Sequence, residues 1–530
     1  MPAGSRSTLT TLFILAALLF VYLPALTGHY FYHDDVNFFL TSPHQPYPKS
    51  YQLSLAIGRF VGAPVYALQG RLVNHVADLN AIRWIGFLQV LVCVYLMRRL
   101  LRRNGWPSVP ASVLSALIVT LPSFQILVAM AGYAFQLTGV LLALLAATCA
   151  DGIPAGSPRR AVTSWQLWLA LLFLLAAIAT HPSTAMFYWT GAAMILVRSP
   201  GSPMRPVSLK AAALVGTGAV GMGLYAVILK ATRHLHPPAQ LGFYNPYELN
   251  TAIGRKAAWF LSEPLVNALN LWNIFPSAPL TALSAAGVLL IGCAAAISLW
   301  RRSPSAVVLR TSLLAGVLIL SFSTNLLAVS DAPFYRCCIA LSSVILVYWF
   351  AAGLWCCERL PSRAVLPTLY AALMIAGLTA LAAARHTLIQ YRVYPSRMET
   401  RLISDEMRRR NVFQFGRVHV YRPDRKTLDN RYDEFGGPTA SFRGDLVGLV
   451  MAGIREQAKG LYRIEHLEYN VRQQQMSLVL TDKSGAKRAF HVRITGDARS
   501  TPIHGTVPTL IVNLPQLYAV DGPLHYLRKD

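Results

Sequence analysis

The chain has 530 residues, 54% of them hydrophobic and only 13% charged, against about 25% charged residues in soluble globular chains. That balance excludes a water-soluble protein, because too few charges exist to cover its surface and the surplus apolar area needs lipid as its solvent. The formal net charge of +25 does not point to nucleic acid: the basic residues of the apolar part lie mainly in short connections between apolar runs, which is a topology signal.

In chain order the apolar runs fall near 8–27, 82–101, 108–122, 133–150, 164–181, 183–198, 209–230, 277–300, 307–328, 337–355 and 365–385. They predict about eleven transmembrane helices, most reaching the ~20 residues that a span requires. The runs at 108–122 and 183–198 are short. Basic groups mark alternate connections: Arg98, Arg99, Arg102 and Arg103; Arg159 and Arg160; Arg198, Arg205 and Lys210; Arg301, Arg302 and Arg310; Arg359 and Arg363. The consistently basic side is expected to be cytoplasmic, with the N-terminus inside and the chain after residue 391 outside. The first run is long for a signal peptide, whose apolar region spans about 7–15 residues. Ala25-Leu26-Thr27 is also a poor cleavage site, and cleavage would leave the rest oriented as before.

Of the 23 acidic residues only eight precede residue 392: Asp34, Asp35, Asp78, Asp151, Glu248, Glu263, Asp331 and Glu358. Six of them fall in three outer connections, 28–81, 231–276 and 329–336, so the polar chemistry gathers on the outer face. The expected division is a membrane domain over 1–391 and a soluble extracytoplasmic α+β domain over 392–530. In the latter, 396–411 reads as a helix, with Ser396 as cap and Glu399 three residues on. Arg417–Tyr421, Met476–Thr481, Ala489–Ile494 and Thr509–Val512 read as strands, with Asp482-Lys-Ser-Gly485 as a hairpin turn. All seven cysteines sit in or beside apolar runs, so the tail folds without disulfides. The adjacent pairs Cys337-Cys338 and Cys356-Cys357 lack zinc-ligand spacing and read as packing residues.

The first outer loop carries the best chemical signal, Gly28-His-Tyr-Phe-Tyr-His-Asp-Asp-Val-Asn37. Adjacent carboxylates at Asp34 and Asp35 raise one another's pKa, which suits a general base. The plain alternative is that they cap a short helix starting near Val36, with the aromatics as an interfacial belt. The stretch 50–73 is amphipathic, too polar to span, and suited to lie along the interface. It carries Arg59 and Arg71 on the side where the positive-inside rule disfavours them, either to bind an anion or to snorkel. Arg336 follows Asp331 at the outer mouth of a helix. Its fork matches a phosphate, and equally a salt bridge to Asp331. His181-Pro182-Ser183 forms a tight turn in which His181 faces the site or Ser183 caps a helix. His234 and His236 lack a third metal ligand nearby. Tyr244, Tyr247, Glu248 and Trp259 suit a sugar pocket or an aromatic belt.

An acidic pair just past the first helix, an interfacial stretch, a late outer-loop Arg and a C-terminal extracytoplasmic domain resemble the GT-C fold of membrane glycosyltransferases. His33-Asp34-Asp35 followed by Gly58-Arg59 resembles the bacterial subgroup that includes the O-antigen glucosyltransferases. The resemblance covers roughly residues 8–390. It implies a multi-pass enzyme of the bacterial inner membrane, with its C-terminal domain in the periplasm. Such an enzyme transfers a hexose from a polyprenyl-phosphate donor to a glycan or lipid acceptor, such as lipopolysaccharide, with inversion. Asp34 or Asp35 would be the base, and Arg336 with Arg59 would hold the leaving phosphate; His33, Arg71 and Asp331 complete the substrate-binding candidates. No Gly-rich nucleotide loop is present, as expected for a lipid-linked donor. Some relatives use a divalent metal; nothing in this sequence completes a metal shell. The rivals are an O-antigen polymerase or ligase, which relies on outer-loop Arg and His, and a lipid-linked sugar transporter, which needs charge at mid-membrane depth. A structural assembly protein working through its tail is a further alternative.

Overall fold

The computed structural model describes residues 3–32, 35, 49–73, 75–154, 158–197, 204–235, 250, 252–275, 277–299, 304–328, 331, 334–359, 365–415, 417–421, 450–451, 453–454, 457–458, 462–470, 475–495 and 509–513. His33, Asp34, Tyr244, Tyr247, Glu248 and His236 lie outside them, as does the side chain of His234.

The chain is mostly helical. In order run α1 (Ala3–Thr27), α2 (Lys49–Ala56), α3 (Gly62–Arg71), α4 (Leu79–Arg103), α5 (Ser108–Ile118), α6 (Pro122–Ala129), α7 (Gln136–Asp151) and α8 (Trp165–Thr180). Then come α9 (Pro182–Ala185), α10 (Phe187–Leu196), α11 (Met204–Leu235), α12 (Ile253–Ser262), α13 (Pro264–Leu269), α14 (Ala278–Leu299) and α15 (Pro304–Leu320). The last are α16 (Ser323–Leu327), α17 (Ile339–Arg359), α18 (Val365–Leu388) and α19 (Tyr394–Arg409).

All eleven apolar runs are helical, but they differ in reach. Seven described helical stretches are long and apolar enough to cross a membrane. An eighth candidate, α5 with α6, is bent by 57°. Pro122 opens α6 and lacks the N–H that would continue α5, so the bend has a local cause. The helices α8, α10 and α15 are apolar but shorter.

The stretches 131–151 and 335–359 form the middle of the bundle: 67% and 78% of their apolar windows are buried, against 22% for 278–298. In the latter, Leu283, Leu289 and Ile297 stand exposed, as expected of a face turned to lipid. Small residues let the central helices approach. A Cβ on Gly191 of α10 would stand 2.5 Å from that of Ala147 in α7. At the basic end of the bundle, buried Asp151 is paired with Lys210 (2.8 Å) and Arg103 (3.3 Å). An acidic group on that side thus ties α7 to α4 and α11.

The stretch 50–73 is two short helices rather than one. The break is at Gly58, whose φ of +82° favours glycine. Tyr225 of α11 donates its hydroxyl to the Gly58 carbonyl (3.1 Å).

Helix α18 continues through a π-turn (Ile389–Val393) into α19. Ser396 therefore lies inside a helix, where its carbonyl accepts the Thr400 hydroxyl (2.7 Å), and caps nothing. Beyond it stands a five-stranded sheet, ordered β2-β3-β4-β1-β5, from β1 (Arg417–Tyr421), β2 (Tyr462–Asn470), β3 (Gln475–Asp482), β4 (Lys487–Thr495) and β5 (Thr509–Asn513). Strands β2, β3 and β4 form an antiparallel meander, and β1 pairs parallel to both β4 and β5. The Asp482–Gly485 turn is as read: Asp482 Oδ1 accepts the backbone N–H groups of Ser484 and Ala486 (2.8 and 3.0 Å), and Gly485 has φ +87°.

The sheet does not hang free of the helices. One apolar cluster joins Phe31, Tyr66, Ala131 and Phe135 to Ile403, Met407, Val418 and Leu480. The Phe31 N–H donates to the Thr400 hydroxyl of α19 (3.2 Å). The segment after residue 391 is thereby fastened to the first loop, four residues from Asp35.

Candidate functional site

The site is assembled from the first loop. Asp35 is completely buried. Its Oδ1 accepts the Gly132 N–H (2.6 Å), and its Oδ2 accepts the Tyr32 N–H (3.2 Å) and faces Arg83 (3.4 Å). Arg83 is equally buried and uses all five N–H donors. They go to Ala129 O, Gly28 O, Asn80 Oδ1, Tyr30 O and Asp35, while the guanidinium stacks at 3.7 Å on the Tyr30 ring. A buried ion with every donor satisfied is tolerated where an unpaired one is not. Sequence reading missed Arg83 because it stands second in an apolar run, where a lone Arg looks like a helix terminus.

Gly132 and Tyr133, a 3-10 turn after α6, lead from Asp35 to the basic groups. Arg336 donates to the Tyr133 hydroxyl at 2.7 Å, and its guanidinium sits 4.5 Å from the rings of both Tyr133 and Phe334. This aromatic clamp needs the planar guanidinium, which a Lys does not supply. Tyr335 pins the same turn by donating to the Ile274 carbonyl (3.0 Å).

Arg59 arrives from the other side. Its segment is pressed onto the end of α8: the Val61 N–H donates to Ala179 O (3.1 Å), and a Cβ on Gly62 would lie 2.4 Å from Thr180 O. His181 follows directly, between α8 and α9, and is buried. Burial, then Arg59, then Arg336 hold its imidazole well below the ordinary histidine range. Its ring caps neither helix, and Nδ1 has no hydrogen-bond partner among the described residues. Ser183 does not cap a helix either; it donates to Asn325 Oδ1 (3.2 Å).

Arg336 is thus linked to Asp35 through Tyr133 and Gly132, while the Arg59 segment lies against the end of the helix that leads into His181. Asp331 does not pair with Arg336. It takes Arg255 and Lys256 instead, the latter at 2.8 Å. Lys256 also donates to Asn325 O (3.3 Å) and lies 4.3 Å over Trp259. The pair of cations, Lys256 first, holds the Asp331 carboxyl below the usual range. Asp331 thus fastens the 329–336 connection to α12. Arg71 is exposed at the end of α3, and no contact among the described residues joins it to the cluster.

No group of three His, Cys, Asp or Glu comes together among the described residues. The Asp35 carboxylate is already occupied by N–H donors.

No family model and no curated protein matches the chain. Among solved structures, an oligosaccharyltransferase of Archaeoglobus fulgidus tethered to an acceptor peptide is similar at 12% identity and a TM-score of 0.39; the match covers 83% of this chain and 63% of that one. The archaeal oligosaccharyltransferase AglB of Archaeoglobus fulgidus, with an inhibitory peptide and a dolichol-phosphate, is similar at 11% identity and a TM-score of 0.34, over 93% and 75% of the two chains. The chain thus spans under two thirds of the length of the first neighbour, and likeness at these values assigns it neither family nor activity.

Proposed function

We propose that the chain is an inverting membrane glycosyltransferase that moves a hexose from a polyprenyl-phosphate donor to an extracytoplasmic glycan or lipid acceptor. The observation that carries this is that Arg336 is held at 2.7 Å on the hydroxyl of Tyr133, one residue along from Gly132, whose N–H meets the buried Asp35 carboxylate; this puts a cation suited to a phosphate beside the acidic loop. Inverting transfer requires a base on the acceptor side and positive charge on the departing phosphate. In this reading Arg336, held by Tyr133 and Phe334, receives the phosphate together with Arg59. Asp34 is the base, because its neighbour Asp35 is committed to Arg83 and two backbone N–H groups. His33, Arg71 and Asp331 are the remaining substrate-binding candidates of this reading. The proposal includes eleven spans, a bacterial inner-membrane location, a periplasmic α+β domain over 392–530, and lipopolysaccharide as a candidate acceptor.

The test is transfer of label from radiolabelled polyprenyl-phosphate hexoses to a crude envelope acceptor, using full-length protein in nanodiscs. Wild type should transfer, and Asp34→Asn should not. A second reading, the O-antigen polymerase or ligase, is favoured by His181, buried where the Arg59 segment lies against the end of α8. Transfer indifferent to Asp34→Asn would decide for it.

A further inference from the structure

We infer that the basic end of the helical bundle carries a headgroup site for an anionic phospholipid, in which the Arg103 guanidinium and the Lys210 ammonium hold the lipid phosphate beside the exposed Trp165 and Trp168. This goes beyond the transfer reaction and does not rest on it.

The site is built around one acid. Asp151 closes α7, and its side chain is buried. Its Oδ1 accepts Lys210 Nζ of α11 at 2.8 Å. Its Oδ2 accepts Asn104 Nδ2 at 3.2 Å and faces Arg103 Nε of α4 at 3.3 Å. Asn104 Oδ1 in turn accepts Lys210 Nζ at 3.3 Å. Two long cationic side chains are thereby held in place before any anion arrives, which lowers the ordering cost of binding one.

A bridge serving only to tie helices would turn both prongs of the Arg103 fork onto the carboxylate, the bidentate arrangement that suits it best. Arg103 instead approaches side-on through Nε. Its side chain is 53% exposed, and neither terminal nitrogen has a hydrogen-bond partner among the described residues. Four N–H donors in fork geometry remain for an anion. Lys210 is also partly exposed and keeps its third N–H. Arg99, exposed one turn earlier on the same face of α4, adds a third cation. The patch therefore stays positive after Asp151 is counted.

The surroundings favour a lipid over a soluble anion. Gly152 lies between the cations and α8: a Cβ there would meet Arg103 Nη2 at 3.6 Å and Gln166 Cγ at 3.5 Å. On the same first turn of α8, Trp165 and Trp168 are exposed, as is Leu209 beside Lys210. Exposed indoles at the end of an apolar helix belong at the headgroup level of a bilayer, and cations between helix ends at that level bind the phosphates of anionic lipids. A zwitterionic lipid brings its own ammonium group, which these cations repel.

The experiment titrates the full chain in detergent with dioleoyl phosphatidylglycerol or dioleoyl phosphatidylcholine and reads the bound lipid by native mass spectrometry. Wild type should bind phosphatidylglycerol about tenfold more tightly than phosphatidylcholine. Arg103→Gln and Lys210→Gln should each weaken phosphatidylglycerol about fivefold. Arg359→Gln, which removes a cation from the end of α17, should leave it unchanged. Asp151→Asn adds positive net charge, so a diffuse field would strengthen binding, whereas loss of the built site weakens it. Should Asp151→Asn fail to fold, the variants of the two exposed cations decide alone. Equal binding of the two lipids, or equal losses in Arg103→Gln and Arg359→Gln, overturns the site in favour of a general basic surface. Displacement of phosphatidylglycerol by millimolar inorganic phosphate overturns the lipid as its occupant.

Discussion

Arg83 and Asp35 form an ion pair 3.4 Å apart with both side chains fully buried, and this pair holds the first loop against the turn after α6. Asp35→Asn keeps the shape but leaves the Arg83 charge uncompensated, a change that costs about 3–5 kcal/mol. Thermal unfolding in detergent should show a large loss for Asp35→Asn and for Arg83→Ala. An unchanged unfolding temperature in both would refute the structural role of the pair.

Tyr133→Phe separates the two halves of the Arg336 clamp. The ring remains for stacking, while the 2.7 Å hydrogen bond is lost. Transfer should fall about threefold to tenfold, in line with the net contribution of about 1 kcal/mol from one hydrogen bond. Arg336→Ala removes the charge itself and should cost about 100-fold or more. Equal effects of the two variants on initial rates would mean that the hydroxyl, not the cation, matters.

Gly62→Ala probes the seam between the Arg59 segment and α8. The added methyl would meet Thr180 O at 2.4 Å, and backbone there cannot swing aside as a side chain does. Overpacking of this kind costs about 1–3 kcal/mol. Stability should drop, and phosphate affinity should drop with it because the Arg59 segment is moved off the end of α8. Retention of full affinity for dodecyl phosphate in a destabilised Gly62→Ala protein would show that the seam does not position the anion site.

Asp331 gives a pH dependence with a definite sign. Its carboxyl is held below the usual range by Lys256 and Arg255. Its contribution to stability is therefore present above the unfolded value of about 3.9 and lost as pH falls through the lower folded value. The group is partly exposed, so the effect is at most about 1 kcal/mol. Asp331→Asn should melt below wild type at pH 7, and the two curves should converge toward pH 3. Parallel curves across that range would contradict the ion-pair assignment.

Much of the helical frame was legible because hydropathy is a local property. Every apolar run carries helix, though 183–198 and 307–328 are each divided between two helices. The missing strand shows the limit. In Tyr462–Asn470 the apolar Ile464 and Leu467 stand three apart, which breaks a two-residue alternation. A bulge between Ile464 and His466 restores the pairing, so that Ile464 lies opposite Leu480 and Leu467 opposite Leu478. Ser396 misled in the opposite way: a capping pattern occurs inside a helix that the preceding span has already nucleated, where no new end has to be capped.

By itself the sequence determined that the chain needs lipid, where its apolar helices run, and that Asp35, Arg59 and Arg336 are worth attention. Only the tertiary structure decided what Asp35 and Arg336 meet. Asp35 meets an Arg 48 positions on, and Arg336 meets a Tyr 203 positions back. Local pattern carries burial and periodicity, which depend on neighbours in the chain. Charge pairing and desolvation depend on neighbours in space, and it was those that assigned Asp35 to Arg83 and Asp331 to Lys256.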